Sequence, residues 1–120
     1  MSKYILGIDQ STQGTKAIIF NEQGKIIARD DLSHKQIINE LGWVEHDPLE
    51  IKENVVKVVK NVVNKAEIDK DSIIGVGISN QRETALMWDK KTGKPLYNAI
   101  VWQCSRGKKI CERIESLGLQ

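Results

Sequence analysis

The stretch Gly7–Phe20, GIDQSTQGTKAIIF, decides how this chain is read. Tyr4–Ile8 and Thr15–Phe20 are apolar runs with strand character, and the residues between them are polar and small. An acid, Asp9, therefore stands where the first strand ends. Behind it come Gln10, two hydroxyls, Gly14 and Lys16. The turn Gln10–Gly14 offers backbone N–H groups, hydroxyls and a glycine that permits close backbone approach.

Such a turn could hold phosphate oxygens, with Asp9 placed to bind Mg2+ through water. An ordinary hairpin whose polar residues only satisfy the turn is the alternative. A P-loop is excluded, because the spacing of glycine and lysine is wrong and a strand follows instead of a helix.

Working outward, the turn Asn21–Gly24 leads to a third strand from about Lys25 to Leu32, which makes an antiparallel meander. In GWVEHDPLE, Asp47 can cap a helix, Pro48 fits its first position and Glu50 gives capping-box spacing. Ile51, Val55, Val58, Val59, Val62 and Ala66 recur on one helical face, so the helix ends near Ala66. Ile73–Ser79 is an apolar run of the kind found in strands buried on both faces. The segment TALMWDKKTGKPL reads as a hairpin turning at Asp89–Gly93, with an extended stretch on to Trp102. A last helix is expected from about Ser105 to Leu117, ended by Gly118.

The chain has 120 residues, enough for one domain or a piece of one. Hydrophobic residues make up 40% and charged residues 28%, the balance of an ordinary globular protein. A formal charge of +2 without charge blocks gives no polybasic patch for nucleic acid or lipid. No secretory signal or membrane span is legible at the start, so a cytoplasmic location is expected, with neither nucleic acid nor membrane as partner. Cys104 and Cys111, if both lay on the last helix, would be about 10 Å apart, too far for a disulfide. They are read as reduced thiols.

The segment Asn80–Glu83, NQRE, follows directly on the apolar strand. In a continuing strand Arg82 and Glu83 would point to opposite faces. Both can serve one ligand only from a loop at the strand's carboxyl end, where α/β sheets place their ligands. An adjacent cation and anion supply donors and acceptors without net charge, which suits a neutral molecule rich in hydroxyls; a surface ion pair is the plain alternative. Trp102 could lay its indole face on the C–H side of such a polyol, or belong to the core. Trp43 reads as the hydrophobic partner at the helix entrance, His46 as a turn residue, and Trp88 as packing.

Together DQSTQGTKA, GWVEHDP, ISNQRET, WDKKTGKPLYNAIVWQC and the SR after it resemble the N-terminal part of the FGGY carbohydrate kinases, most closely the branch that phosphorylates glycerol. The resemblance covers nearly the whole chain. It implies a ribonuclease H-like, actin-like ATPase fold of class α/β, here its N-terminal lobe: a mixed sheet with an antiparallel three-stranded meander and flanking helices. It also implies ATP and Mg2+ at the first hairpin and glycerol against the NQRE loop. Carried over by position, Thr12, Gln13, Gly14 and Lys16 would lie at the nucleotide phosphates and Asp9 near the metal. Arg82 and Glu83 would lie on the glycerol hydroxyls, and Trp102 would form a wall of that pocket.

The family is several times longer than residues 1–120, so the chain is expected to be an incomplete part of the first lobe. The general base toward the substrate hydroxyl and the adenine pocket are then expected beyond Gln120. Such a fragment is expected to be inert and to expose an apolar sheet edge, and a homo-oligomer is compatible with the full-length kinase. Where the glycerol branch usually has Gly-Thr-Thr after DQ, this chain has Ser11, Thr12 and Gln13, and Lys16 replaces a more common arginine. Alternatives are another FGGY sugar or polyol kinase, such as one acting on xylulose, and a truncated non-catalytic module that binds a ligand or a partner protein.

Overall fold

Strands β1 (Tyr4–Gln10) and β2 (Gly14–Phe20) form the expected hairpin in the computed structural model, which describes residues 2–118. The next turn is set by Asn21, whose Oδ1 accepts from the N–H groups of Gln23 and Lys25. It leads into β3 (Ile26–Ser33), antiparallel to β2. Short strands β4 (Ile37–Ile38) and β5 (Val44–His46) precede helix α1 (Pro48–Ala66). A 3-10 turn at Lys70–Ser72 then feeds β6 (Ile73–Ser79), and β7 (Ala99–Ile100) and helix α2 (Lys108–Ser116) complete the order. The main sheet runs β3-β2-β1-β6, with β6 parallel to β1, and β4-β5-β7 form a small second sheet.

Alternation in the strands meets the helical period of α1 at the core. Leu6 and Ile8 of β1 and Ala17 and Ile19 of β2 face Val58 and Val62 of α1. Each valine is fully buried, which contributes about 1.5–3 kcal/mol. At the far end of the helix, Asp30 of β3 accepts from Lys65 Nζ at 2.7 Å and from Asn61 Nδ2 at 3.0 Å. These bonds fix the rotation of the helix on the sheet.

The helix start is partly as the sequence predicts. Asp47 caps by accepting from the Leu49 N–H at 3.0 Å, and Pro48 takes the first position. Glu50 does not close a capping box; it accepts from the Lys35 N–H at 2.7 Å and so anchors the β3–β4 segment to the helix. Trp43 is not the apolar partner at the helix entrance. Its ring lies under the Arg106 guanidinium, 4.2 Å from centroid to Cζ.

Other expectations are corrected by the tertiary arrangement. β6 is not buried on both faces, because α1 lies over β2 and β3 and leaves this outermost strand uncovered. Ile74, Val76 and Ile78 are 62%, 57% and 70% exposed, so the expected apolar edge is there. The Asp89–Gly93 hairpin forms through a single Trp88–Pro95 bridge, and Trp88 is 60% exposed instead of packed. α2 starts three residues later than Ser105, since the Ser105 hydroxyl bonds the Leu41 and Gly42 carbonyls. Its end is as read, with Gly118 at φ 71°. Cys104 therefore precedes the helix, and both cysteines are free thiols. Among the described residues no helix is long and apolar enough to cross a membrane.

Candidate functional site

The β1–β2 hairpin sets one side of the site. Register places Asp31, Lys16, Asp9 and Ser79 in one row across β3, β2, β1 and β6, so these four share the sheet face turned away from α1. The turn above them is closed by Ser11, whose N–H and hydroxyl both donate to the Gly14 carbonyl, at 2.8 and 3.0 Å. Ser11 is thus committed to the turn itself. Among the described residues the N–H groups of Thr12 and Gln13 find no acceptor, which leaves two donors at the tip for an external anion.

Gly14 is required for a reason the sequence alone does not reveal. A Cβ there would come within 2.5 Å of the Leu32 carbonyl oxygen and 3.1 Å of Ser33 Cα. The close backbone approach is made by β3, inside the fold.

The other side comes from the loop at the carboxyl end of β6. Glu83 has φ 56°, a left-handed conformation that strains a residue with a Cβ. β6 has already ended at Ser79, so Arg82 and Glu83 are free of strand alternation, and both line the same cleft. Trp102 stands on the turn after β7, 55% exposed, and its Nε1 donates to Thr12 Oγ1 at 2.9 Å.

The predicted site residues therefore divide between two adjoining clefts. Asp9, Thr12, Arg82, Glu83 and Trp102 line one of about 430 Å³. Gln13, Gly14 and Lys16 line a second of about 460 Å³ on the opposite side of the turn, with Asp31. Ser11 lies in the wall between them. The first cleft presents a cation, two anions, a hydroxyl and an aromatic face, a set that fits a small polyhydroxylated molecule. The second presents the Lys16 ammonium together with Gln13, whose N–H is one of the two free donors, and these suit an anion held on the side away from Asp31.

Sequence reasoning missed the residues behind this site. Gln10 and Gln81, both in the cleft wall, bond each other: Gln10 Nε2 donates to Gln81 Oε1 at 2.8 Å, and the Gln81 N–H donates to Gln10 Oε1 at 3.3 Å. Gln81 also donates to Thr84 Oγ1 at 2.7 Å. The one available signal was its place inside NQRE. His46, expected in a turn, is the last residue of β5 and fully buried.

Beside the clefts lies a structural ion pair. Glu45 accepts from Arg106, from the Tyr97 hydroxyl at 3.0 Å and from Asn98 Nδ2 at 3.0 Å. Arg106 holds the Glu45 carboxyl below the usual range despite its burial. The Cys104 thiol is pushed up by burial, but hydrogen bonds from the Arg106 and Val44 backbones and the Arg106 guanidinium outweigh this and lower it.

Comparison with known proteins covers nearly the whole chain. Residues 4–120 match the model of the FGGY family of carbohydrate kinases, N-terminal domain. Glycerol kinase of Thermoanaerobacter sp. (strain X514) is 51% identical over 118 residues, 98% of this chain and 24% of that protein. Among solved structures, Plasmodium falciparum glycerol kinase with ADP has a TM-score of 0.79 at 41% identity, over 96% of this chain and 23% of that one. Gluconate kinase from Lactobacillus acidophilus has a TM-score of 0.89 at only 25% identity, over 98% of this chain and 23% of that one. The chain thus spans about a quarter of the length of its curated relatives. Backbone shape is shared by kinases of different substrates, and side-chain identity separates them.

Proposed function

Since the chain belongs to the FGGY family of carbohydrate kinases and has the actin-like ATPase fold of its structural neighbours, we propose that it is the N-terminal portion of an ATP-dependent glycerol kinase forming sn-glycerol 3-phosphate. The observation that carries this reading is the convergence of Arg82, Glu83 and Trp102 with Asp9 and Thr12 on one cleft. Arg82 donates to hydroxyl oxygens, Glu83 accepts from hydroxyl protons, and the Trp102 ring covers the C–H side.

The residues around the turn fit a nucleotide phosphate and its metal. The Thr12 and Gln13 N–H groups and the Lys16 ammonium donate to phosphate oxygens without needing a helix N-terminus. No group of three or more His, Cys, Asp or Glu side chains is gathered for a metal among the described residues. A hard Mg2+ ion, which keeps much of its water and uses one or two carboxylates with substrate phosphates, would be held through Asp9. Bound ATP with Mg2+ supplies the phosphoryl group and neutralises its charge. The chain's own residues orient the acceptor and the phosphates, and positioning is most of what phosphoryl transfer asks of a protein.

The 120 residues alone should not turn over, given the quarter-length coverage of the relatives. The test is a substrate panel on a full-length kinase carrying this chain at its N-terminus, with glycerol, xylulose and gluconate as acceptors. Preference for glycerol supports the reading. Preference for xylulose or gluconate replaces it with another member of the family, and absence of transfer to any acceptor removes it.

A further inference from the structure

Behind the clefts, a single run of hydrogen bonds joins two backbone groups of fixed polarity. It begins at the Gln81 N–H, which donates to Gln10 Oε1 at 3.3 Å, and Gln10 Nε2 returns a bond to Gln81 Oε1 at 2.8 Å. With its oxygen so engaged, Gln81 presents Nε2 to His46 Nδ1 at 3.3 Å. His46 Nε2 meets Gln36 Oε1 at 2.7 Å, and Gln36 Nε2 donates to the Thr12 carbonyl at 2.8 Å. A backbone N–H can only donate and a carbonyl can only accept. Every amide between them is oriented by that pair of ends, and His46 must accept at Nδ1 and donate from Nε2.

We propose that His46 is a positioning residue that ties the loop carrying Arg82 and Glu83 to the Thr12 turn, through a run of hydrogen bonds that only the neutral Nε2–H imidazole completes. The inference rests on the kinase reading for what the two ends hold. Gln81 immediately precedes Arg82, and Thr12 also takes the Trp102 indole bond. One buried ring thus sets the spacing between the acceptor loop and the phosphate turn.

Protonation of Nδ1 would set an N–H against the Gln81 amide N–H. Two facing donors repel, and an amide flip of Gln81 would lose its bonds to Gln10 and Thr84. The surroundings hold the ring neutral. Burial, and then His34 packed edge-on with ring centroids 4.4 Å apart, keep His46 below the ordinary imidazole range, and they outweigh the Gln81 hydrogen bond and the Glu50 carboxylate at the start of α1, which both act in the other direction. His34 is itself buried, and neither of its ring nitrogens has a hydrogen-bond partner among the described residues. The remaining neighbours, Gln36 and Gln81, are uncharged amides.

Two substitutions separate the halves of this run. His46→Asn keeps an acceptor at the Nδ1 position and loses the donor to Gln36. His46→Gln reaches the Nε2 position and loses the acceptor for Gln81. In the full-length kinase, the first should raise KM for ATP about tenfold and leave KM for glycerol close to wild type, and the second should do the reverse, each by the worth of one hydrogen bond. Equal rises of both constants in both variants would reduce His46 to a structural residue and overturn the proposal. Nitrogen-15 NMR of the histidine-labelled wild-type kinase reads the tautomer directly. A neutral Nε2–H ring at pH 7 is expected; an Nδ1–H tautomer or an imidazolium there would overturn the proposal even in an active enzyme. Absence of glycerol phosphorylation with a neutral Nε2–H ring would instead remove the kinase reading and leave the hydrogen-bond assignment standing.

Discussion

The indole of Trp102 donates to the hydroxyl of Thr12 at 2.9 Å across ninety residues of chain. The turn proposed for phosphate and the wall proposed for glycerol are therefore one hydrogen-bonded unit. Trp102→Phe keeps an aromatic wall and removes this bond. In the full-length kinase it should lower kcat/KM for ATP about fivefold, with a smaller effect on glycerol. Trp102→Ala removes the wall as well and should lower kcat/KM for glycerol by about tenfold or more. Equal kinetics for Phe and wild type would show that the bond does not position Thr12.

Glu83 occupies a left-handed conformation that a glycine would adopt without strain. Glu83→Gly should raise stability to thermal unfolding by about 0.5–1 kcal/mol while lowering kcat/KM for glycerol at least tenfold. A gain in stability bought by loss of turnover is the pattern of a strained functional loop. Arg82→Ala and Glu83→Ala should each cost about ten- to a hundredfold, and the double variant less than the product of the two, because each single leaves its neighbour unpaired. Glycerol kinetics unchanged in both singles would return the pair to an ordinary surface contact.

Asp9 sits in the first cleft, level with Lys16 and Ser79 across the sheet. If it supports the metal, Asp9→Asn should depress kcat far more than it raises KM for glycerol, since the ion's charge matters most as charge shifts in the transition state. The variant's remaining activity should also need more Mg2+ to saturate. A magnesium titration at saturating ATP and glycerol checks both points, and near-normal kcat would make the turn a simple hairpin.

The Glu45–Arg106 pair gives stability an acid limb. Glu45 has a folded pKa below its free value of 4.5. Its contribution is therefore complete above that value and is lost as pH falls through the lowered folded value. Asp30, lowered by Lys65, adds to the same limb. Thermal melts from pH 7 to pH 3 should show Glu45→Gln less stable than wild type at neutral pH, with the gap closing in acid. A constant gap across that range would mean that the carboxylate charge does not stabilise the fold.

Much of the local structure was legible because it is encoded within a few residues. The meander follows from alternating apolar residues broken by DQSTQG and NEQG, and α1 follows from Asp47, Pro48 and the valines spaced to meet one sheet face. Arg82, Glu83 and Trp102 were legible as candidates through their resemblance to a family, and their strand-end placement agreed with it. The misreadings have one origin. Trp43, His46, Trp88 and Ser105 were assigned from their neighbours in sequence, and their actual surroundings come from residues far away in the chain or, for Trp88, from solvent.

The sequence by itself determined the β1–β2–β3 meander, the strand β6, where α1 begins, and the family to which the chain belongs, because period, capping and motif are short-range properties, whereas β4 and β5 were not legible in it. Only the tertiary structure decided that Gly14 is needed by β3, that β6 stands uncovered, and that His46 joins Gln81 to Gln36. Those outcomes depend on pairs separated by 10 to 90 residues, such as Gln10 with Gln81 and Thr12 with Trp102. No local preference specifies such a pair; it is selected when burial of the shared apolar face of the sheet and α1 brings the two segments together and their polar groups must find partners.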